Sequence, residues 1–155
     1  HEDCRRQRQM CIRDRLAAAL SMGADGINMG TRFIATQEAP VHQNVKDALV
    51  AASELDTELI MRPLRNTERV LSNAAVSSIL KEKELGDNIQ ITDILDEVAG
   101  VYPKIMQEGT MEAGAWSCGM VAGLIHDVPT CSELVERIVA DAEEIISTRL
   151  SKFIA

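Results

Sequence analysis

The chain has 155 residues, is 46% hydrophobic and 26% charged, and carries a net charge of −8, which is the composition of one ordinary globular domain. The acidic balance argues against a nucleic-acid-binding surface, which requires a basic patch. No stretch approaches the roughly 18 uncharged apolar residues of a membrane helix, and no apolar leader precedes Leu16. We therefore expect a cytoplasmic protein that binds neither nucleic acid nor a membrane.

The cysteines and histidines form no recognisable metal or disulfide pattern. None of the four cysteines belongs to a CxxC pair, and the three histidines, His1, His42 and His126, are scattered. We therefore predict neither a metal site nor a disulfide framework. Cys118 has no neighbouring base in the sequence, which argues against a nucleophilic role.

Residues 1–15 differ in character from the rest of the chain. They contain five arginines and three acidic residues, a net charge of +2, so the remaining 140 residues carry −10. The run Met10-Cys11-Ile12-Arg13-Asp14-Arg15 resembles the translation of an adapter used in DNA sequencing. Our hypothesis is that residues 1–15 are non-native, and the alternative is a natural disordered basic tail. Genomic codons for residues 10–15 would contradict the hypothesis.

From Leu16 onward the pattern predicts a helix, a strand and a turn. Leu16–Met22 consists of good helix formers, and Gly23 is a typical helix C-cap. Gly26–Met29 predicts a short buried strand, which is ended by the turn Gly30-Thr31. A helix followed by such a strand is typical of α/β proteins with parallel strands.

After residue 36, the spacing of apolar residues and the capping residues predict mainly helices. We expect a first helix over Val41–Ala52 and a second helix that is capped by Asn66 or Thr67 and ends at Gly86. A third helix is expected to be capped at Thr92-Asp93 and broken by Gly100 and Pro103. A short helix follows that break, and a last helix ends the chain's pattern. Gly109–Gly123 fits no single element. The last helix has the clearest pattern, because Thr130 and Glu133 fit a capping box ahead of a continuous apolar stripe.

This set of elements does not make a complete sheet. One strand and five or six helices cannot close a parallel sheet, because a lone strand has unpaired backbone groups on both edges. We therefore expect a chain that is mainly α-helical and belongs to a domain that is incomplete or needs a partner.

The turn Gly30-Thr31 is the motif with the clearest chemistry. A glycine lets the backbone come close to a ligand. Free amides at the start of the expected helix Arg32–Ala35, together with the Thr31 hydroxyl, can hold an anion. In (β/α)8 barrels the phosphate of a cofactor is often held by the loops after strands seven and eight. A Gly-Thr pair after a strand is also common in ordinary turns, so the surrounding sequence has to decide.

The sequence around this turn resembles the nitronate monooxygenase family. Residues 16–40, LAAALSMGADGINMGTRFIATQEAP, are similar to the eighth-strand region of that family, where a helix, GADG, a strand, GT or GS, RF and EAP occur in this order. The resemblance continues through Val41-His42, Arg62–Asn66 and Gly123–Pro129. It covers most of residues 16–150.

The resemblance implies an α/β fold, the C-terminal portion of an FMN-binding (β/α)8 TIM barrel with an additional, mostly helical region. Residues 16–35 would be the last helix–strand unit of the barrel, residues 36–129 the inserted helical region, and residues 130–155 a helix that packs on the barrel. The residues implied to bind the FMN phosphate are Asn28, Met29, Gly30 and Thr31.

The resemblance also implies a reaction, the oxidation of an alkyl nitronate by O2 to a carbonyl compound and nitrite. The family's catalytic histidine and the strands that hold the flavin ring have no counterpart here, and His42 and His126 do not occupy the catalytic position. We therefore assign no catalytic residue and expect this chain alone to be inactive. Two alternatives stay open: a flavin-dependent enoyl-ACP reductase of the same superfamily, and a non-catalytic helical interaction module.

Two further segments are candidates for a site. Trp116–Met120 can cover the flavin pocket, because its small residues permit close backbone approach, and the alternative is a structural loop whose tryptophan packs on the barrel. Arg62 and Arg65 can bind an anionic substrate or cofactor, but the favoured interpretation is that they solvate a turn around Pro63.

Overall fold

The computed structural model describes residues 13–83 and 89–153, and most of these residues are helical. The α-helices are α1 (Arg13–Ser21), α2 (Thr31–Ile34), α3 (Gln43–Ala51), α4 (Ala74–Ser78), α5 (Leu95–Val98), α6 (Tyr102–Met106) and α7 (Cys131–Glu144), and the strands are β1 (Thr57–Ile60) and β2 (Glu68–Leu71). π-Helical turns at Ile79–Lys83 and Ile145–Arg149 extend α4 and α7, and 3-10 turns cover Ile91–Ile94, Met120–Leu124 and Leu150–Phe153. In the described part of the chain, no helix is both long and apolar enough to cross a membrane.

Helix α1 confirms the helix expected before the turn, with an earlier start. It begins at Arg13 rather than Leu16, and residues 1–12 lie outside the described residues, so the hypothesis about residues 1–15 stays a prediction. After the helix, Gly23 adopts a φ of 90°, a left-handed conformation that favours glycine at this position.

The strand expected over Gly26–Met29 is wrong for this structure. The segment is not a strand, and only Ile27 and Met29 are half-buried in it. Its backbone N–H and C=O groups form no hydrogen bond with other described residues. An extended segment becomes a strand only when a neighbouring strand pairs with it, and no described segment does so.

A β-hairpin replaces part of a helix that the sequence predicted. β1 and β2 pair antiparallel as a two-stranded sheet. The helix start expected at Asn66 or Thr67 is therefore wrong, because residues 68–71 form β2. The turn between the strands holds Met61 and Arg65 at positive φ values of 58° and 54°. The helix begins only after Asn73, whose side chain caps α4 by accepting a backbone N–H of the first turn.

The other helices follow the sequence pattern more closely, except that the cap expected at Thr92-Asp93 is wrong, because the helical segment begins as a 3-10 turn with Gln90 as its N-cap residue. α3 lies within the range expected for a helix, and α6 is the short helix expected near Pro103, which stands in its first turn. α7 has the predicted capping box, in which the Thr130 side chain accepts the Glu133 N–H and the Glu133 carboxylate accepts the Thr130 N–H at 2.8 Å. The expected helix end at Gly86 lies outside the described residues.

The buried side chains of residues 35–125 form two clusters, and we call this part of the chain the packed region. One cluster consists of Ala35, Val45, Leu49, Leu71, Val101, Ile105, Trp116, Cys118, Ala122 and Ile125. The other consists of Ile60, Met61, Val70, Val76, Ile79, Ile89, Ile94 and Ala115. Outside the packed region, α1 and α7 pack against each other.

Candidate functional site

A cavity of about 350 Å³ opens beside the turn Gly30-Thr31. Its walls come from the turn, from β2 and from the loop that follows Trp116. The lining residues are Asn28, Met29, Gly30, Thr31, Arg32, Arg69, Gly119, Met120 and Val121. The cavity therefore brings together the four residues expected to bind a phosphate, and none of the lining residues is acidic.

The turn offers backbone donors that are not used within the described structure. The N–H groups of residues 28–32 form no hydrogen bond with other described residues. A Cβ placed on Gly30 would have no described atom within 4 Å, so packing does not require glycine here and space is left for a ligand. α2 has only four residues, so its dipole is small. The groups that can bind an anion are therefore the individual N–H groups and the Thr31 hydroxyl.

Thr31 links the turn to the opposite wall of the cavity. Its Oγ1 accepts a hydrogen bond from the N–H of Gly119 at 3.0 Å. The hydroxyl can still donate its own proton, because a hydroxyl has one donor and two acceptor positions. A Cβ on Gly119 would lie 3.4 Å from Thr31 Oγ1, an ordinary van der Waals distance, so the two walls lie close together at this point. The bond fixes the loop at Gly119 against the turn.

Backbone pairing with β2 sets the position of this loop. The Leu71 N–H donates to the Trp116 carbonyl oxygen at 3.3 Å, and the Cys118 N–H donates to the Arg69 carbonyl oxygen at 3.0 Å. The loop therefore runs alongside β2. This pairing places Arg69 beside Gly119, at the edge of the cavity.

Arg69 is a charged residue of the cavity that the sequence prediction missed. Its Nη1 donates to Thr57 Oγ1 at 2.9 Å and to the Thr57 carbonyl oxygen at 3.3 Å, which holds the side chain across the hairpin. Its Nε and Nη2 form no hydrogen bond with other described residues. The signal that could have identified it was the pair of short β-prone segments on either side of Pro63. Because the second segment was interpreted as part of a helix, Arg69 was not placed on a face of a strand.

Arg32 lines the same cavity, and its charge is used inside the protein. Its side chain is 3% exposed. Nη2 donates to Asp127 Oδ1 at 2.6 Å, and Nη1 donates to the carbonyl oxygens of Ala35 and Asp127. Burial lowers the pKa of Arg32, and the charge of Asp127 opposes that shift. The pair ties the turn to the loop before α7.

Asp127 carries a second ion pair, because its Oδ2 accepts a hydrogen bond from Arg137 Nη1 at 2.7 Å. Burial acts to raise the pKa of Asp127, but the hydrogen bond from Arg137 and the charges of Arg32 and Arg137 outweigh it, so the pKa lies below its usual value. Two stretches of the family resemblance, one at Arg32-Phe33 and one ending at Pro129, are therefore joined by one interaction.

One part of the segment Trp116–Met120 packs in the core, and the other part lines the cavity. Trp116 and Cys118 are buried in the packed region. Burial raises the pKa of the Cys118 thiol to about 11, so it is not a thiolate nucleophile at neutral pH. Gly119 and Met120 line the cavity. Only the end of the segment therefore faces the candidate site.

The other candidates lie outside the cavity lining. Arg62 and Arg65 are exposed in the hairpin turn, as a solvated turn requires. His42 is the N-cap of α3, and its Nδ1 accepts the N–H of Asn44 at 3.1 Å, whereas His126 is exposed in the loop before α7. Over residues 13–83 and 89–153, no three His, Cys, Asp or Glu side chains are grouped so that they can hold a metal ion.

The proteins to which this chain is similar are oxidoreductases. Residues 10–141 match the family described as nitronate monooxygenase, and the chain belongs to that family. The resemblance stated for residues 16–40 is thereby confirmed.

Individual relatives extend the comparison. An octahydroindene carboxyl-CoA dehydrogenase from Rhodococcus jostii is 30% identical over 162 residues, with 82% of this chain and 46% of that protein covered. The nitronate monooxygenase npaC from Metarhizium robertsii is 50% identical over 38 residues, which cover 24% of this chain and 11% of that protein. The structure of FabK from Thermotoga maritima superposes with a TM-score of 0.80 at 30% identity, covering 92% of this chain and 44% of FabK. The chain therefore spans less than half the length of these relatives.

Proposed function

We propose that the full-length product of this gene is an FMN-dependent oxidoreductase whose FMN phosphate is held by Asn28, Met29, Gly30 and Thr31. The observation that carries the proposal is the cavity at this turn. Its free N–H groups, its hydroxyl and its open space at Gly30 suit a phosphate monoester, which accepts hydrogen bonds and repels carboxylates. Membership of the nitronate monooxygenase family supports a flavin as the group that carries this phosphate.

The proposed reaction is the oxidation of an alkyl nitronate by O2 to a carbonyl compound and nitrite. FMN supplies the redox chemistry when it is bound, and the protein supplies placement and electrostatics. In this chain the turn binds the phosphate, the bond between Thr31 and Gly119 holds the second wall in place, and the pair of Arg32 with Asp127 fixes the turn. These residues bind and orient, and we assign no catalytic residue to the chain.

A second candidate is a flavin-dependent enoyl-ACP reductase that uses NAD(P)H. The observation that favours it is the similarity of the structure to FabK, with a TM-score of 0.80. Both candidates place the FMN phosphate at the same turn, so residues 28–31 do not separate them.

The test uses the purified full-length gene product, with its absorption spectrum recorded first. Nitrite formation and O2 consumption are then measured with an alkyl nitronate, and NAD(P)H oxidation is measured with an enoyl thioester. We expect a yellow flavin spectrum, release of FMN on denaturation, and nitrite formed from the nitronate. A yellow protein that forms no nitrite and oxidises NAD(P)H with the enoyl thioester would select the second candidate, and a folded, colourless protein would contradict both.

A further inference from the structure

We propose that Arg69 is the cationic ligand of the phosphate bound at the turn of residues 28–31, because the hairpin makes Arg69 part of the lining of the same cavity. The inference rests on the proposed function, since it takes the phosphate of FMN as the occupant of the cavity. It assigns a binding role to a residue of β2 rather than to a residue of the turn itself.

Charge balance is the first argument. A phosphate monoester carries between one and two negative charges at neutral pH, and the chain as a whole carries −8. The turn supplies neutral N–H groups, and α2, with four residues, adds little dipole. Two arginines line the cavity, and Arg32 is paired at 2.6 Å with Asp127, a carboxylate that it shares with Arg137. Among the described residues, Arg69 is therefore the lining cation that has no carboxylate partner.

Preorganisation of the side chain is the second argument. Nη1 is anchored on Thr57 through the hydroxyl at 2.9 Å and the carbonyl oxygen at 3.3 Å. The backbone of Arg69 is fixed as well, because its carbonyl oxygen accepts the Cys118 N–H. The edge formed by Nε and Nη2 is left for a ligand, and this planar edge matches the two oxygens of a phosphate.

The two walls of the cavity are also locked to each other. The loop that pairs with β2 continues to Gly119, whose N–H donates to Thr31 Oγ1 at 3.0 Å. A phosphate held by the turn therefore lies in a cavity whose opposite wall, with Arg69, is kept in place by hydrogen bonds of the backbone. Arg69 and the four residues of the turn therefore line one cavity whose two walls are joined by a hydrogen bond.

The experiment compares FMN with riboflavin, which lacks the phosphate, on the full-length gene product. Dissociation constants of both flavins are measured by fluorescence quenching for the wild type, Arg69→Gln, Arg69→Lys and the control Arg62→Gln, which lies exposed in the same hairpin. Loss of a charged hydrogen bond should weaken FMN binding by about 10- to 100-fold in Arg69→Gln. Riboflavin binding should not change, and Arg62→Gln should bind both flavins like the wild type.

Two further measurements separate charge from architecture. Arg69→Lys keeps the charge without the planar fork, so its loss of FMN affinity should lie between the wild type and Arg69→Gln. Salt should weaken FMN binding to the wild type, and this dependence should be smaller in Arg69→Gln.

The outcomes that overturn the inference differ from those that overturn the proposed function. Equal weakening of FMN and riboflavin in Arg69→Gln would mean that Arg69 only holds the hairpin through Thr57, and an unchanged FMN affinity would remove its role altogether. Failure of the wild type to bind either flavin would contradict the proposed function itself. Should Arg69→Gln fail to fold, the comparison of the two flavins on Arg69→Lys decides in the same way.

Discussion

Glycines of the packed region and glycines of the turn meet different surroundings. A Cβ placed on Gly123 would lie 2.3 Å from the backbone nitrogen of Glu54, so the packing of residues 35–125 requires a glycine there. A Cβ placed on Gly26 or Gly30 would have no described atom within 4 Å. Packing therefore explains why residue 123 is a glycine, but it does not explain the glycines at positions 26 and 30. The proposed phosphate would explain Gly30, which lines the cavity.

Apolar side chains show a weaker contrast. In the packed region, Trp116 and Leu49 are fully buried, although Leu55, Ile91, Leu95, Tyr102 and Met120 are exposed. In and next to α1 and α7 the exposed large apolar side chains include Leu20, Met22, Val135, Val139 and Ile146. The apolar stripe predicted for the last helix is therefore only partly covered, at Leu134, Ile138 and Ala142. The cavity lies where the two parts meet, with one wall from the turn and one from the packed region.

The largest effect that we expect on stability comes from the packed region. Trp116→Ala should lower the free energy of unfolding by about 3–5 kcal/mol, because it empties a fully buried site. Phe153→Ala is the contrasting variant, since Phe153 is 87% exposed, and should change stability by less than about 0.5 kcal/mol. Chemical denaturation followed by circular dichroism measures both, because Trp116 is the single tryptophan. Similar losses of unfolding free energy in the two variants would contradict the difference in packing between the two positions.

The two kinds of glycine give a smaller and sharper test. Gly123→Ala should destabilise the protein by about 1–3 kcal/mol, because the new methyl group meets backbone atoms that cannot move freely. Gly30→Ala should leave the stability of the flavin-free protein within about 0.5 kcal/mol and weaken FMN binding, because its methyl group enters the cavity. A Gly30→Ala protein that is as unstable as Gly123→Ala and binds FMN normally would contradict this account.

The ion pairs at Asp127 should give a smaller effect that depends on pH. The pKa of Asp127 is lowered in the folded protein, so its stabilisation is complete above the unfolded value of about 4 and is lost as the pH falls through the folded value. Asp127→Asn should therefore cost about 1–2 kcal/mol at pH 7, because it leaves buried Arg32 without its carboxylate, and should lose less stability than the wild type on acidification.

Arg137→Gln is the matched control for Asp127→Asn. Arg137 is 49% exposed at its side chain, and it binds the same carboxylate at 2.7 Å. Exposed pairs contribute about 0–1 kcal/mol, so this variant should stay close to the wild type. The three proteins are compared by denaturation curves between about pH 3 and pH 7. This range of about four units includes the ordinary pKa of an aspartate carboxyl, about 4. Equal losses in both variants would show that the buried partner, Arg32, is not the important one.

Local sequence signals predicted the elements whose determinants are local. The capping box at Thr130 and Glu133, the C-cap at Gly23 and the position of α3 were all correct, because each depends on neighbours within one or two turns. The hairpin was missed because strand pairing joins residues that are distant in sequence. The same argument explains the error at Gly26–Met29, where the segment forms no backbone hydrogen bond with a described strand.

The candidate site divides in the same way. The turn of residues 28–31 was assigned from the order of its motifs, which a sequence preserves; its residues line the cavity, and their role in binding FMN stays a prediction. Arg69 was missed because its place on the cavity depends on the register between β2 and the loop ending at Gly119. No local pattern around Arg69 encodes that register, whereas Arg62 and Arg65, which were considered, lie in the exposed turn.

The preference of the full-length protein for FMN over riboflavin, measured in Thr31→Val and Thr31→Ser, tests most directly whether the turn holds the phosphate. Thr31→Val removes the hydroxyl with little change in shape, and Thr31→Ser keeps it. Loss of one hydrogen bond to a charged group should reduce the preference for FMN by about 10-fold or more in Thr31→Val, while Thr31→Ser stays near the wild type. An unchanged preference in Thr31→Val would contradict the assignment of the phosphate to this turn.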